Sequence, residues 1–469
     1  MNAVRTPFPV VANRAPAASE PSFPTAPIID LDAESFEDVS FTADSSESGV
    51  NPRYFSDSRI FKSNGDFAPG GVRALRLKLQ VLQLISDLFP GAETEREPEI
   101  NMIGQGSFNV VIGVTLKGPE SAHKSGSTIG CRLAKLFTRE PLRKFALRLP
   151  LDNSGIERDV VTLQVISSHL SIPVPKIIKY DLETANAVGK RFTLQTRLAG
   201  EPLHALWAKL NRPQRLSAVQ QITKVTEKIA CCTSLAAGFI SGRNIDCYSS
   251  VIHLDQFMVP TESEGSRRPQ FPQPTTQPAP KQTPHEFLMD LCRRWLAYEA
   301  TFGHDHHSRP LWQELMSLID ALAQGGWLGD RFHLVHGDLF ARNILAAITS
   351  STTVKITGVV DWDMACFAPK FMALRAPFWA WVGDERDEDG APYEPFGMEG
   401  RMLKNAFRSA ASREYINFGL SAESVVARKL FKVVSGGMMC QGNRDLAIQL
   451  LHQWRMLHPG ANRQNFTIY

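Results

Sequence analysis

The sequence predicts an α+β protein of two lobes, a small β-rich lobe followed by a larger, mainly helical one. Three observations carry this. Apolar runs of strand character crowd residues 99–149. Beyond Gly200, apolar residues recur at helical spacing. The chain has 469 residues, more than the roughly 250–300 residues at which a single core stops growing.

The elements follow in order. Residues 1–50 carry eight acids against Arg5 and Arg14, with Pro, Ser and Ala between them. Such a segment buries too little to offset its ordering entropy, so residues 1–70 read as a disordered acidic extension. Arg5 and Arg14 before any acid are a feature of mitochondrial presequences. Pro7, Pro9, Pro16, Pro21 and Pro24 interrupt both the amphipathic helix that import needs and any signal-peptide core, so a cytoplasmic location is expected. Residues 71–98 form a helical lead-in. There Val72, Leu75, Leu79, Leu82 and Ile85 repeat at helical spacing, although Leu75, Leu77, Leu79 and Val81 also permit a strand.

Residues 99–199 make the first lobe, with strands at Val110–Val114 and Phe145–Leu149. A helix is expected near 155–170, ended by Pro173 and Pro175, then strands near 176–181 and 191–198. Residues 200–469 form the second lobe. Leu216, Val219, Ile222, Val225 and Ile229 line one helix face, and helices are expected near 285–300 and 309–324. Six prolines and four glutamines over 262–284 mark an unstructured surface insertion. A β-rich segment spans 332–361, and helices run from there to the end.

Composition excludes several classes. With 43% hydrophobic and 21% charged residues the chain is neither wholly disordered nor fibrous. A formal net charge of +3 gives no broad claim on nucleic acid or a membrane surface, and no apolar run reaches transmembrane length. Seven cysteines, an odd number without a Cys-x-x-Cys spacing, fit a reducing compartment with no zinc site. His304, His306 and His307 cluster, and a polar loop before the helix start at Ser308-Arg309-Pro310 explains them better than a metal site does. Nothing in the sequence fixes an oligomeric state.

The chemistry concentrates in Leu334-Val335-His336-Gly337-Asp338-Leu339-Phe340-Ala341-Arg342-Asn343-Ile344-Leu345. An apolar strand enters a polar loop and another leaves it. The loop holds Asp338 and, five positions on, Asn343. A second apolar strand, Gly358-Val359-Val360, ends in Asp361-Trp362-Asp363. Phosphoryl transfer needs these parts: a carboxylate for the proton of the attacking hydroxyl, and an amide oxygen with a second carboxylate for Mg²⁺. Upstream, Ile103-Gly104-Gln105-Gly106-Ser107-Phe108-Asn109-Val110 joins two strand-like runs. Its glycines would let backbone amides approach phosphate oxygens, though an ordinary hairpin turn reads the same way.

His-Gly-Asp-x-x-x-x-Asn followed by apolar-apolar-Asp-Trp-Asp resembles the aminoglycoside phosphotransferase and choline kinase group, including its fungal members. The resemblance implies a protein-kinase-like fold and an ATP- and Mg²⁺-dependent kinase acting on a hydroxyl of a small-molecule acceptor. It implies Asp338 as catalytic base, His336 as a loop-ordering residue, and Asn343 and Asp361 as metal ligands. Asp363 would assist the metal or cap the next turn. Gly104, Gly106, Ser107 and Phe108 would cover the nucleotide, and backbone groups near Thr196 and Leu198 would meet adenine.

One position departs from the pattern. Where a phosphate-gripping lysine is expected there is Arg148, and Asp159 stands where the family has Glu. The two are expected to pair, with Glu157 as the alternative partner. The aromatic stretch Phe378-Trp379-Ala380-Trp381 before the acidic run Asp384–Asp389 reads either as a wall for a cationic amine or as a helix packing its rings inward. Two other readings stand beside the small-molecule kinase. A protein kinase is disfavoured by His-Gly-Asp, by Asp-Trp-Asp and by the missing Ala-Pro-Glu segment. A non-catalytic nucleotide-binding pseudokinase is motivated by Arg148 and Asp159 and opposed by Asp338, Asn343 and Asp361.

Overall fold

The structure is a computed structural model, and it describes residues 72–90, 97–105, 109–116, 143–151, 155–246, 252–259, 274–302, 308–382, 394–395 and 397–459. All of these belong to one compact unit within Asp57–Tyr469. The extension 1–70, the glycine turn at 106–108, the histidine cluster and the acidic run Asp384–Asp389 lie outside the described residues.

Helix α1 (Val72–Leu88) precedes strands β1 (Glu99–Gln105), β2 (Asn109–Leu116) and β3 (Arg143–Pro150), helix α2 (Ile156–His169), and strands β4 (Ile177–Asp181) and β5 (Phe192–Thr196). The five strands form an antiparallel sheet in the order β1-β2-β3-β5-β4. Period-two alternation sorts its faces. Val110, Ile112, Val114, Phe145, Leu147 and Leu149 point into one core together with Val81, Leu84 and Ile85 of α1. Arg148 therefore points out of that core. The apolar stripe of α1 differs from the expected one. Leu75 and Leu79 are exposed, while Val81, Leu84 and Ile85 are buried with Leu77 and Leu88 beside them. Both stripes have helical spacing, and packing on the sheet selects the second.

The second lobe begins with β6 (Glu201–Pro202), α3 (Leu203–Trp207) and α4 (Arg212–Ala230). The start of α4 is fixed by a reciprocal cap in which Asn211 accepts from Gln214 N–H and the Gln214 side chain accepts from Asn211 N–H. Strands β7 (Thr233–Ser234), β8 (Gly238–Ile240), β9 (Leu254–Phe257) and β10 (Pro274–Pro278) follow, then α5 (Pro284–Phe302) and α6 (Ser308–Gln324). After β11 (Phe332–Val335), a 3₁₀ turn at Ala341–Asn343 leads into β12 (Ile344–Ile348), β13 (Val354–Val359) and β14 (Cys366–Pro369). Helices α7 (Lys370–Ala373), α8 (Trp379–Val382), α9 (Gly397–Ala410), α10 (Arg413–Leu420), α11 (Ala422–Gly436) and α12 (Gln441–Leu457) complete the chain. This is the two-lobed, protein-kinase-like α+β arrangement that the sequence predicts.

Two details depart from expectation. Residues 274–278, read as part of an unstructured insertion, form β10, which pairs with β9 at the edge of a six-stranded sheet. An edge strand needs only one row of bonds, so its terminal prolines are tolerated. The second lobe also holds the short strands β7, β8 and β14 in that sheet. Two to four residues are too few for alternation to show in a sequence.

The segment that follows β11, with Asp338 and Asn343, leads into a small sheet ordered β13-β12-β6. Helix α4 clamps it: Gln214 Nε2 donates to Ser350 O at 2.8 Å, and Ile356 N–H donates to Gln221 Oε1 at 3.1 Å. The lobes are joined where Val359 N–H donates to Pro173 O at 2.9 Å. The chain enters the second lobe at Gly200, whose φ of +100° and 2.6 Å approach of a would-be Cβ to Ala346 O leave room for glycine alone. No described helix is long and apolar enough to cross a membrane.

Candidate active site

Asp338 sits at the turn between β11 and the 3₁₀ turn, and its carboxylate is gripped from both sides. Arg342 Nη2 donates to Oδ1 at 2.5 Å, and Asn343 Nδ2 donates to Oδ2 at 2.7 Å. Asn343 Nδ2 also reaches the Asp338 carbonyl at 2.9 Å. With its nitrogen committed twice, Asn343 has its amide oxygen left to face a cation. The neighbouring strand ends beside it, because Val360 N–H donates to Asn343 O at 2.9 Å. Asp361 is thereby placed next to the catalytic loop.

His336 ties the two loops together. Its Nδ1 accepts the Asp338 N–H at 3.2 Å, which assigns the ring proton to Nε2, and Nε2 faces Val360 O at 3.0 Å. The ring also packs on Trp362, with centroids 4.4 Å apart. Trp362 is buried and donates its indole N–H to Val359 O at 3.0 Å. Held between these two anchors, Asp361 adopts φ +67°, the one non-glycine positive φ among the described residues. A left-handed carboxylate costs of order 1–3 kcal/mol and persists only where its surroundings over-determine it, typically at functional sites. Gly337 completes the turn at φ +82°, where a Cβ would lie 2.4 Å from Met364 O.

Burial pushes His336 down to about 4 against the pull of the Val360 carbonyl. Its folded pKa lies below the ordinary value, so its contribution to stability is complete above about pH 6.5 and is lost as the pH falls toward 4. Each unit is worth about 1.4 kcal/mol, so the loss should reach about 3 kcal/mol. Urea unfolding of the wild type and His336→Asn across this range tests it. An equal acid loss in both proteins would assign the effect to other groups.

Arg148 reaches from β3 to the strand end that carries Asp361 and Asp363. Its Nη2 lies 2.6 Å from Asp363 Oδ2 and 3.4 Å from Asp361 Oδ1, and Asn109 Nδ2 donates to Asp363 Oδ2 at 3.1 Å. Burial works against the charge on Arg148, but Asp363, Asp361 and Asp159 outweigh it and raise its pKa. Burial and then Asp363 push Asp361 up to about 6.

The expected pairing of Arg148 with Asp159 does not form. No hydrogen bond or ion pair joins them among the described residues, because Asp361 and Asp363 take the guanidinium. Asp159 stays close enough to feel both charges, and burial, then Asp363, push it well above the carboxylate range. Glu157, the alternative partner, is held by Arg191 at 3.1 Å.

At the hinge, Thr196 N–H is spent on Lys176 O at 2.9 Å, and its hydroxyl accepts Lys176 N–H at 2.9 Å. The Thr196 amide is therefore unavailable to a base. Leu198 lies beyond the ladder, with its side chain over Gly358, where a Cβ would come within 2.5 Å of Leu198 Cδ1. Gly104, next to last in β1, has no atom within 4 Å of a would-be Cβ, so packing does not demand a glycine there. Gly106, Ser107 and Phe108 lie outside the described residues.

Asn109, Arg342 and Asp363 are site members that sequence reasoning passed over or left open. The signal for Arg342 was its place one residue before Asn343. Asn109 and Arg148 face the same acid because Asn109 pairs with Pro150 across the β2–β3 ladder. The aromatic stretch divides. Phe378 and Trp381 pack inward, Trp381 on Phe407 at 5.6 Å, while Trp379 turns to Trp207, also at 5.6 Å.

Asp361 and the Asn343 oxygen are the hard oxygen donors that could take Mg²⁺, which needs few protein ligands when phosphates supply others. Among the described residues no group of three or more His, Cys, Asp or Glu side chains makes a closed metal cage.

No curated protein matches the sequence. Among solved structures, the chain is similar to wild-type aminoglycoside 2'-phosphotransferase-IIIa in its GDP complex, at 13% identity and a TM-score of 0.40, over 81% of this chain and 99% of that one. It is also similar to a thermostable mutant of aminoglycoside phosphotransferase APH(4)-Ia in a ternary complex with ADP and hygromycin B, at 14% identity and a TM-score of 0.40, over 82% and 99%. Over residues 134–389, more than half of the 469-residue chain, the sequence matches the model of the phosphotransferase enzyme family, and the chain belongs to that family.

Proposed function

We propose that the protein transfers the γ-phosphoryl group of ATP to a hydroxyl of a small molecule, with Mg²⁺ as cofactor. One observation carries this reading. Asp338, fixed by Arg342 and Asn343, stands on a loop bonded through His336 and Val360 to the strand end that presents Asp361. A base and two oxygen ligands are thus held on two coupled loops, as phosphoryl transfer requires.

The acceptor hydroxyl oxygen forms the new bond to the γ-phosphorus, the bond from phosphorus to the β,γ-bridging oxygen breaks, and ADP leaves. The hydroxyl proton passes to the Asp338 carboxylate, which Arg342 and Asn343 hold in place. Asp361 and the Asn343 oxygen would hold Mg²⁺, which supplies positive charge against the phosphate oxygens. Arg148, planar and permanently charged, balances Asp361 and Asp363 and offers its remaining donors to phosphate. Leu198 would meet the base from the hinge, and the turn containing Gly104, Gly106, Ser107 and Phe108 would cover the phosphates.

Calorimetry with ATP, with and without Mg²⁺, tests the metal assignment. Asp361→Ala is expected to abolish most of the Mg²⁺-dependent gain in ATP affinity. Equal metal dependence in wild type and variant would remove Asp361 from that role. Screening γ-labelled ATP against hydroxylated metabolites tests the activity, and absence of any Asp338-dependent turnover would favour the pseudokinase reading.

A further inference from the structure

The loop that carries Asp338 also carries Phe340, and two guanidinium groups share its ring. Arg342 lies 4.6 Å from the ring centroid and Arg375 lies 5.4 Å from it. Arg342 is engaged by Asp338. Arg375 is half-buried, and its side chain has neither an acid nor a carbonyl partner among the described residues; only its backbone carbonyl is used, accepting the Tyr415 hydroxyl at 2.8 Å. A guanidinium has five N–H donors, and a ring face offsets only about 0.5–2 kcal/mol of its lost hydration. Four residues on, Trp379 adds an indole N–H that is buried and unpartnered among the described residues. Its ring packs against the cluster that contains Ala341 of the catalytic loop. On this side of Asp338 the described residues bring two guanidinium groups to one ring, and Asp338 itself is already paired.

We propose that the phosphoryl acceptor carries an anionic group, a carboxylate or a phosphate, and that Arg375 binds it next to Asp338. The proposal rests on the phosphotransfer reading and narrows it. A cationic amine would bring more donors and would meet Arg342 and Arg375 as like charges. An anion gives Arg375 the planar, two-pronged partner that arginine favours.

The test uses the full chain with γ-labelled ATP and Mg²⁺ against four acceptor sets: polyhydroxy carboxylic acids, sugar phosphates, neutral polyols and amino sugars. The wild type should label one of the two anionic sets preferentially, and which one it labels distinguishes carboxylate from phosphate. Arg375→Met should lower kcat/KM for that set by about 10- to 100-fold, the worth of a hydrogen bond to a charged group. It should also collapse the preference over the matched neutral polyol, whereas a purely structural role would lower both alike. Arg375→Lys should restore part of the preference. Preferential labelling of amino sugars or polyols, or a preference that survives Arg375→Met, overturns the proposal and leaves the kinase reading standing. Release of labelled phosphate to water with no labelled acceptor does the same. No Asp338-dependent release and no labelling at all would instead overturn the phosphotransfer reading.

Discussion

Replacing Asp338 by asparagine is expected to lower turnover by about 10²- to 10⁴-fold while leaving nucleotide binding nearly intact. The carboxylate accepts two donors, from Arg342 at 2.5 Å and Asn343 at 2.7 Å. Asparagine has one oxygen and one NH₂ group, so it can satisfy only one of them and must turn a donor toward the other. The variant therefore loses the proton acceptor and its alignment together. The Asn343 oxygen and Asp361 are untouched, which is why Mg²⁺-dependent ATP affinity should persist. Turnover and calorimetry on the same preparation separate the two effects. Unchanged turnover would show that Asp338 takes no proton, and a parallel collapse of affinity would show that the substitution had disordered the loop.

The catalytic loop was legible because its spacing is local. Asp338 and Asn343 are five positions apart in one turn, and the apolar residues on either side announce strands β11 and β12. The small lobe was legible for the same reason, since β2 and β3 are long enough to alternate. What stayed hidden depended on partners far away in the chain. Arg148 meets Asp361 and Asp363 across more than 200 positions, and nothing local to β3 ranks those acids above Asp159. The Thr196 amide reads as available from the sequence, but the carbonyl of Lys176, just before β4, takes it. The buried stripe of α1 was ambiguous because two helical stripes were both apolar, and only the sheet beneath it decides. Gly337 reads as an ordinary loop glycine until Met364 O is found against it.

The second large effect concerns Arg148. Arg148→Met should destabilise the fold by about 3–5 kcal/mol at neutral pH, the usual result of removing one partner from a largely buried ion pair. The side chains of Arg148 and Asp363 are only 12% and 20% exposed, so water replaces little of the lost interaction. Asp361 would be left facing Asp363 without a cation, which raises the Asp361 pKa further. A raised carboxylate is relieved by protonation, so the deficit should shrink as the pH falls through the acid range. A double-mutant cycle identifies the partner. Arg148→Met combined with Asp363→Asn should show a coupling toward the upper part of the usual range of about 0.5–3 kcal/mol, and the cycle with Asp159→Asn a much smaller one. Urea unfolding supplies the energies, and turnover under saturating ATP reports the same pairs in the working enzyme. Arg148→Lys should lose activity, since a shorter point charge cannot serve two carboxylates and a phosphate as a planar fork does. Adding Asp159→Glu should not rescue it, because Asp159 does not hold the guanidinium. Rescue by that second change, or stronger coupling to Asp159 than to Asp363, would return Arg148 to a pairing with α2 and remove the link drawn here between β3 and the strand end at Asp361.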